Sequence, residues 1–268
     1  MLRTARCFLI LATAGTLAPA HPGTEVAIND LTEIINTSPA SAELHVRRAL
    51  CYVEHTRWEE ALADLNRAET IAPRLSELPL AWAEYHLARR DYRAAIGTLS
   101  PILQRQPDDP AARLLRARAF VLNDNSSAAL VDFRAALAAI PEPKPELWLE
   151  ANALISEPAA ALADLNAGIT RLGPAPGLVE RALTLELSLH RTDAALARLA
   201  GLAATAERPE LFLKRRGDLL TSLSRRTEAR AAYAAALTAL GRLPDWLRAG
   251  EPTRLLTAQL TALITPSS

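Results

Sequence analysis

An alanine followed four residues later by a large apolar side chain recurs through most of this 268-residue chain. Successive alanines are separated by 34, 34, 32, 34 and 34 residues. Residues four apart share one face of an α-helix, so each copy predicts an amphipathic helix. A fixed period of this length is typical of stacked helical units that stabilise one another. The pairs are Ala61/Leu65, Ala95/Leu99, Ala129/Phe133, Ala161/Leu165, Ala195/Leu199 and Ala229/Tyr233.

Two further sets of residues keep the same period. Proline lacks an amide hydrogen and glycine favours left-handed backbone, so both end helices. Five of the six residues twelve positions after the alanines are proline or glycine; the six are Pro73, Pro107, Pro141, Gly173, Glu207 and Gly241. Nine positions before the alanines stand the residues expected between the two helices of each unit, at Tyr52, His86, Phe120, Asn152, Glu186 and Leu220.

The unit resembles the tetratricopeptide repeat, a helical hairpin of about 34 residues. The first copy has the family's small, aromatic, alanine, large apolar, alanine and proline positions at Ala49, Tyr52, Ala61, Leu65, Ala68 and Pro73. Copies four and five are degenerate and are recognised by their phase. The resemblance implies an all-α, right-handed superhelical solenoid of about six hairpins with capping helices at both ends. An unrelated helical bundle with coincidental spacing is the alternative.

The period also predicts the organisation of the chain. Six hairpins are expected at residues 42–75, 76–109, 110–141, 142–175, 176–209 and 210–243. The segment 139–147 holds three prolines and coincides with the one short period. We therefore expect a mild irregularity of the stack there rather than a domain boundary.

Both ends of the stack are expected to be capped by a helix, since the last apolar face of a repeat array needs cover. Residues 21–41 contain an amphipathic pattern over 24–36, with Ala27, Leu31 and Ile34 on its apolar side. Residues 244–268 contain a second helical pattern over 253–264, followed by a tail. Its apolar side is predicted to carry Leu255, Leu256, Leu260, Leu263 and Ile264.

Residues 1–20 have the form of a secretory signal peptide. Arg3 and Arg6 precede an apolar run over residues 7–17, and Ala18-Pro19-Ala20 is a small-residue exit. We expect cleavage after Ala20, export to a bacterial periplasm and no stable membrane anchor afterwards. Retention of the segment as a membrane helix is the alternative, although the run is short for a bilayer.

Charge and motifs argue against several functions. The 30 Lys and Arg balance 30 Asp and Glu with no basic stripe, so nucleic-acid binding is not expected. None of the five histidines lies in a zinc motif, and no phosphate loop or GxSxG elbow is present. We therefore expect the protein to have no enzymatic activity and to bind no cofactor or metal. An enzyme whose active site has no recognisable motif is the alternative hypothesis. Cleavage of the leader would remove Cys7. Cys51 would then have no disulfide partner in the chain, and we expect it to be a buried thiol.

The resemblance implies that the first helix of each hairpin lines a concave surface. The inward positions are apolar in the first three hairpins, apart from one acid and one base, and more charged in the later hairpins, which favours a protein or peptide partner. The inward positions are Val46, Leu50, Val53, Leu80, Glu84, Leu87, Leu114, Arg118, Val121, Glu146, Glu150, Glu180, Thr184, Lys214 and Asp218. Neighbouring helices or the chain ends covering this strip are the alternative.

Chaperone-binding members of the family grip a C-terminal carboxylate with a Lys and an Asn four residues apart. Val46 and Leu50 stand at those places, so that mode is not expected. The first functional hypothesis is an exported, non-catalytic scaffold or adaptor. The second is a periplasmic metal-handling accessory protein, because cleavage would expose His21, whose amine and imidazole can chelate copper.

Overall fold

The computed structural model describes residues 22–265, and this part of the chain consists of fifteen α-helices with no strand. The prediction of an all-α fold built from repeated helical hairpins is confirmed. The proposed signal peptide, His21 and the last three residues lie outside the described part. Within residues 22–265, no helix has the length and apolar character needed to cross a membrane.

The chain forms two compact units that meet in sequence between Pro143 and Lys144. This division falls in the proline-rich segment, where we expected an irregularity rather than a boundary. The helix before it ends at Ala139 and the next begins at Pro145. The intervening prolines lack amide hydrogens and cannot continue a helix.

The first unit contains one terminal helix and three hairpins. The hairpins pair α2 with α3, α4 with α5 and α6 with α7, while α1 packs on α2. The bounds are α1 Pro22–Thr37, α2 Ala42–Glu54, α3 Trp58–Ile71, α4 Leu78–Ala88, α5 Tyr92–Arg105, α6 Pro110–Leu122 and α7 Ser126–Ala139.

The second unit contains three hairpins and two terminal helices. Its hairpins pair α8 with α9, α10 with α11 and α12 with α13, and α15 packs on α13. The bounds are α8 Pro145–Asn152, α9 Pro158–Leu172, α10 Pro176–Ser188, α11 Thr192–Thr205, α12 Pro209–Ser222, α13 Arg226–Gly241, α14 Asp245–Arg248 and α15 Glu251–Ile264.

The turn inside five of the hairpins contains one residue in left-handed geometry. None of these residues is glycine, although left-handed φ costs a side chain about 1 kcal/mol. They share one register of the repeat and are Thr56, Arg90, Asp124, His190 and Ser224, with φ between 55° and 63°. In the first turn, the amide of Arg57 then donates to the carbonyl of Tyr52 at 2.9 Å, which links the two helices.

The recurring alanine and its large partner form the core of each hairpin, as predicted. All twelve residues of these pairs are buried, with Ala61, Leu65 and Phe133 completely shielded from solvent. Burying one such leucine contributes about 2 kcal/mol. Cys51 is buried too, as expected.

The capping helices differ from the prediction in which side chains they bury. In α1, Ile28 and Ile35 are buried and Ile34 is 43% exposed, because the helix packs on α2 through residues three and four apart. In α15, Leu260 is buried and Leu256 and Ile264 pack against the core. The predicted Leu255 and Leu263 lie on the adjacent, exposed side of the helix.

Candidate protein-binding groove

The first helices of the three hairpins in the first unit lie side by side. α2 contacts α4 and α4 contacts α6, so their common face is one surface that all three helices line. We call this face the groove, defined by Leu50, Leu80, Glu84, Leu114 and Val121, whose side chains all remain partly exposed. The predicted position Arg118 lies there too and is half-buried.

Three of the predicted contact residues belong to the core instead. Val46 and Val53 are each 4% exposed and Leu87 is 2% exposed. Val46 and Val53 pack in the cluster that joins α1 to α4, and Leu87 packs with Ala95 and Ala119 between hairpins. Neighbouring helices therefore cover them, which corrects their assignment as partner contacts.

The apolar part of the groove is formed by residues that the packing leaves half open. Leu50 packs its inner side against the first core cluster, and Leu80 does the same against Leu99 and Leu103. Leu114 and Val121 on α6 are also half-buried. Apolar surface of this kind gains about 25 cal/mol per Å² when a partner removes it from water.

Glu84 is the ionisable group at the middle of the groove. Burial raises the pKa of its carboxyl to about 7, the charge of Glu54 on α2 adds to this rise, and the charge of Arg118 on α6 opposes it. Sequence reasoning placed Glu84 and Arg118 on this face but missed Glu54. The signal for Glu54 was its position at the end of α2, directly after Val53, which the repeat phase predicted to face inward.

Aromatic side chains on α3 and α4 stiffen the central hairpin. Tyr85 is buried and meets Trp58 and Trp82 edge to face, with ring centroids 6.4 and 5.8 Å apart. His86 stacks on Trp82 at 5.8 Å, and burial lowers the pKa of its imidazole. These contacts fix α4, and with it Glu84, relative to α3.

A buried ion network ties the helices of the first hairpin together. Arg48 of α2 donates to both oxygens of Asp64 on α3 at 2.7 and 2.8 Å, and the carboxylate also hydrogen-bonds with His45 at 2.8 Å. The same guanidinium reaches α1, where it donates to the Thr32 hydroxyl at 3.0 Å. One arginine thereby connects three successive helices.

The third hairpin repeats this network 68 residues later. Arg116 donates to Asp132 at 2.7 and 2.8 Å and to Ser100 on α5 at 3.3 Å, while Arg113 takes the place of His45. The second hairpin has Trp82 at the arginine position. Sequence reasoning missed this pattern, although the arginines and aspartates stand at fixed distances from the recurring alanine.

In the first hairpin of the second unit, Trp148 stands at the repeat position that Arg48 and Arg116 occupy in the first unit. Trp148 on α8 donates through Nε1 to Asp164 Oδ2 on α9 at 3.1 Å, and Asn152 donates to the same oxygen at 3.0 Å. The next hairpin reverses the charges, with Arg198 of α11 paired to the buried Glu186 of α10 at 2.6 Å. The predicted gap-filling residues Asn152 and Glu186 are thus polar partners within their hairpins.

Several of the predicted contact residues of the second unit already pair with other side chains of that unit. Lys214 donates to Asp218 at 2.7 Å, Tyr233 donates to Asp218 at 3.0 Å, and Arg215 forms an ion pair with Glu180. Glu150 is half-buried, and Glu146 and Thr184 are exposed. Because these charged side chains already have partners in the chain, they are less available to form ion pairs with a bound protein.

The second unit also has a cleft of about 460 Å³ beside its terminal helices. α13, α14 and α15 line it, with Leu240 and Ala258 on the apolar side and Arg248 and Arg254 on the polar side. Arg248 already donates to Asp245 and to the carbonyl of Gly241. Residues 22–265 contain no group of three or more His, Cys, Asp or Glu side chains that could hold a metal ion.

The fold and the groove together define a helical repeat protein with a surface suited to protein contacts. Residues 80–142 match the family described as tetratricopeptide repeat, which supports this family for the chain. This fold generally mediates protein–protein interaction, and its members are generally non-catalytic scaffolds. No curated protein matches the chain in sequence.

Solved structures that match with a TM-score of 0.50 show the same fold at low sequence identity. The C-terminal part of the TPR repeat-containing protein from Cytophaga hutchinsonii is 13% identical with a TM-score of 0.50, over 90% of this chain and 89% of that one. Yeast Tom70 is 12% identical with a TM-score of 0.50, over 87% of this chain and 46% of Tom70. The structure of Naa15/Naa10 bound to HypK-THB matches at 18% identity and a TM-score of 0.49, over 91% of this chain. The match spans 39% of that protein's chain.

Proposed function

We propose that this chain is an exported, non-catalytic scaffold that holds a segment of another protein in the groove of its first unit. The observation that carries the proposal is the row of half-exposed leucines, Leu50, Leu80 and Leu114, one from each of three adjacent first helices. A row of this kind offers apolar surface at a regular spacing, which suits an extended or helical peptide. The absence of any catalytic motif in the sequence agrees with a binding role.

Site-specific photo-crosslinking would test the groove directly. A photoreactive side chain at Leu80 or Leu114 should give a discrete adduct with an envelope protein of the exporting cell. The same probe at Val131, which is 66% exposed on α7 and outside the groove, serves as the matched control. Equal labelling from all three positions, or no adduct from the groove, would refute the proposal.

Substitutions can separate binding from folding at the same surface. Leu50→Glu with Leu80→Glu should abolish the adduct and preserve helicity, because both side chains already reach solvent. Leu87→Glu should unfold the first unit instead, since it places a carboxylate in the core. A binding-competent, folded Leu87→Glu protein would contradict the assignment of core and groove.

Export is supported by the basic start, apolar run and small-residue exit of residues 1–20. Cell fractionation followed by mass measurement of the intact protein tests it. We expect a periplasmic species that begins at His21. A full-length species in the membrane fraction would favour the retained-helix alternative, and a cytoplasmic full-length species would refute export.

A further inference from the structure

The groove contains a carboxyl group that the protein itself does not neutralise. Glu84 lies at the middle of α4 and is partly covered by the helices on either side. It takes part in no hydrogen bond or ion pair among the described residues. A covered carboxylate without a partner is costly, because water no longer solvates its charge fully.

The charged groups that act on Glu84 come from both neighbouring first helices. Glu54 of α2 repels its negative charge, and Arg118 of α6 attracts it. The helices α3 and α5 also pack against α4, and no charged group from either acts on it in the described part. Burial and the charge of Glu54 raise the pKa of Glu84 by more than Arg118 lowers it. The result is a pKa of about 7.

The charge of the whole first unit has the same sign as this site. Residues 22–143 carry 13 Lys and Arg against 17 Asp and Glu, a net charge of −4 with neutral histidines. An acidic unit attracts cationic partners at a distance and orients them before contact. The negative charge of the whole unit and the carboxylates in the groove therefore both favour a cationic ligand.

We propose that the groove binds an amphipathic, cationic protein segment, and that binding is coupled to loss of the Glu84 proton. Apolar side chains of the segment lie against Leu50, Leu80 and Leu114. A lysine or arginine of the segment pairs with Glu84 and Glu54. This inference rests on the proposed function of the groove and names the chemistry of its partner.

The coupling has a defined sign and size. Only the ionised form of Glu84 pairs with a cation, and its population rises with pH from about a tenth at pH 6 to about nine-tenths at pH 8. A lysine or arginine side chain stays protonated over this range. The apparent affinity should therefore be about tenfold higher at pH 8 than at pH 6.

Three short peptides of one design provide the probes. They share leucines at helical i, i+3 and i+4 spacing, have blocked ends, and carry Lys, Gln or Glu at the remaining positions. Each is titrated into the full mature chain by calorimetry at about pH 6 and pH 8, at constant ionic strength. We expect the Lys peptide to bind tightest and to show the tenfold rise.

Two variants locate the effect. Glu84→Gln should bind the Lys peptide more weakly than the parent does at about pH 6, because glutamine has no ionised form, and it should lose the pH dependence. Glu69→Gln removes the same charge from an exposed position on α3 and should leave both unchanged. Equal affinity at both pH values, equal effects of the two variants, or failure of the Lys peptide to bind would each overturn the inference.

These experiments test the proposed function of the groove separately from the chemistry of its ligand. Binding of the Gln or Glu peptide that is lost in Leu80→Glu, without binding of the Lys peptide, would keep the groove as a site and refute its cationic ligand. Failure of all three peptides together with failure of the Leu80 crosslink would refute both.

Discussion

A close approach between two helices of the second unit makes a sharp test of the packing. Gly217 of α12 lies directly against Tyr233 of α13, and a Cβ at Gly217 would come within 2.3 Å of the tyrosine ring. Carbon atoms in contact need about 3.5–4.0 Å, so Gly217→Ala forces the ring or the helix to move by more than about 1 Å. Tyr233 cannot swing freely, because its hydroxyl hydrogen-bonds with Thr221 at 3.1 Å and Asp218 at 3.0 Å.

The expected magnitude follows from two opposing effects. Alanine in a helix interior is favoured over glycine by about 1 kcal/mol. Overpacking a core typically costs about 1–3 kcal/mol. Gly201→Ala on α11 provides the matched control, since nothing lies within 4 Å of its new Cβ. The control should gain about 1 kcal/mol, and Gly217→Ala should be about 1–3 kcal/mol less stable than the control.

Urea unfolding of both variants, followed by circular dichroism, measures this difference. Hydrogen exchange in peptides from α12 and α13 shows whether the loss is local to the contact. Adding Tyr233→Leu to Gly217→Ala should remove most of the penalty, since the ring that clashes is gone. Equal stability of the two alanine variants, or a gain from Gly217→Ala, would refute the close-packing argument.

Three further perturbations have defined outcomes. Thr56→Asn should raise the free energy of unfolding by about 0.5–1 kcal/mol, because φ is 56° and asparagine tolerates left-handed geometry better than a β-branched residue; thermal melting checks this. Asp64→Ala should destabilise the first unit by about 3 kcal/mol in urea, since it leaves the Arg48 charge unpaired; a loss below about 1 kcal/mol would show that the network is solvated. Burial raises the pKa of Glu84 above its unfolded value of 4.5 to about 7, so the parent protein loses stability as pH rises between those values. Glu84→Gln should remove this loss, about 2 kcal/mol after allowance for solvent, and parallel pH–stability curves of the two proteins would disprove it.

The fold could be predicted from the sequence because its core residues are also its repeating residues. Ala61 and Leu65 recur at a constant period, and their burial depends mainly on the hairpin to which they belong. The same reasoning failed for Val46 and Leu87, which look like Leu50 in the pattern. Whether such a residue is buried depends on how closely the neighbouring first helix approaches, and a pattern within one hairpin does not contain that distance.

The electrostatics of the groove were only partly predictable for the same reason. Glu84 and Glu54 are thirty residues apart in the chain, and their interaction depends on the packing of α2 against α4. The left-handed turn at Thr56 was also missed, since no glycine marks it. Tertiary contacts hold this residue in a conformation that its own preference disfavours.

Because the two arginine networks lie 68 residues apart, a deletion of two hairpins can join the first part of one network to the second part of the other. Deleting residues 34–101 would bring Arg116 to the position of Arg48, opposite the Thr32 hydroxyl that accepts that bond now. Deleting residues 34–67 alone would instead place Trp82 at the position of Arg48, and the Thr32 hydroxyl would lose its arginine donor. An ancestor that grew by copying hairpin pairs would leave this alternation of arginine and tryptophan as its record.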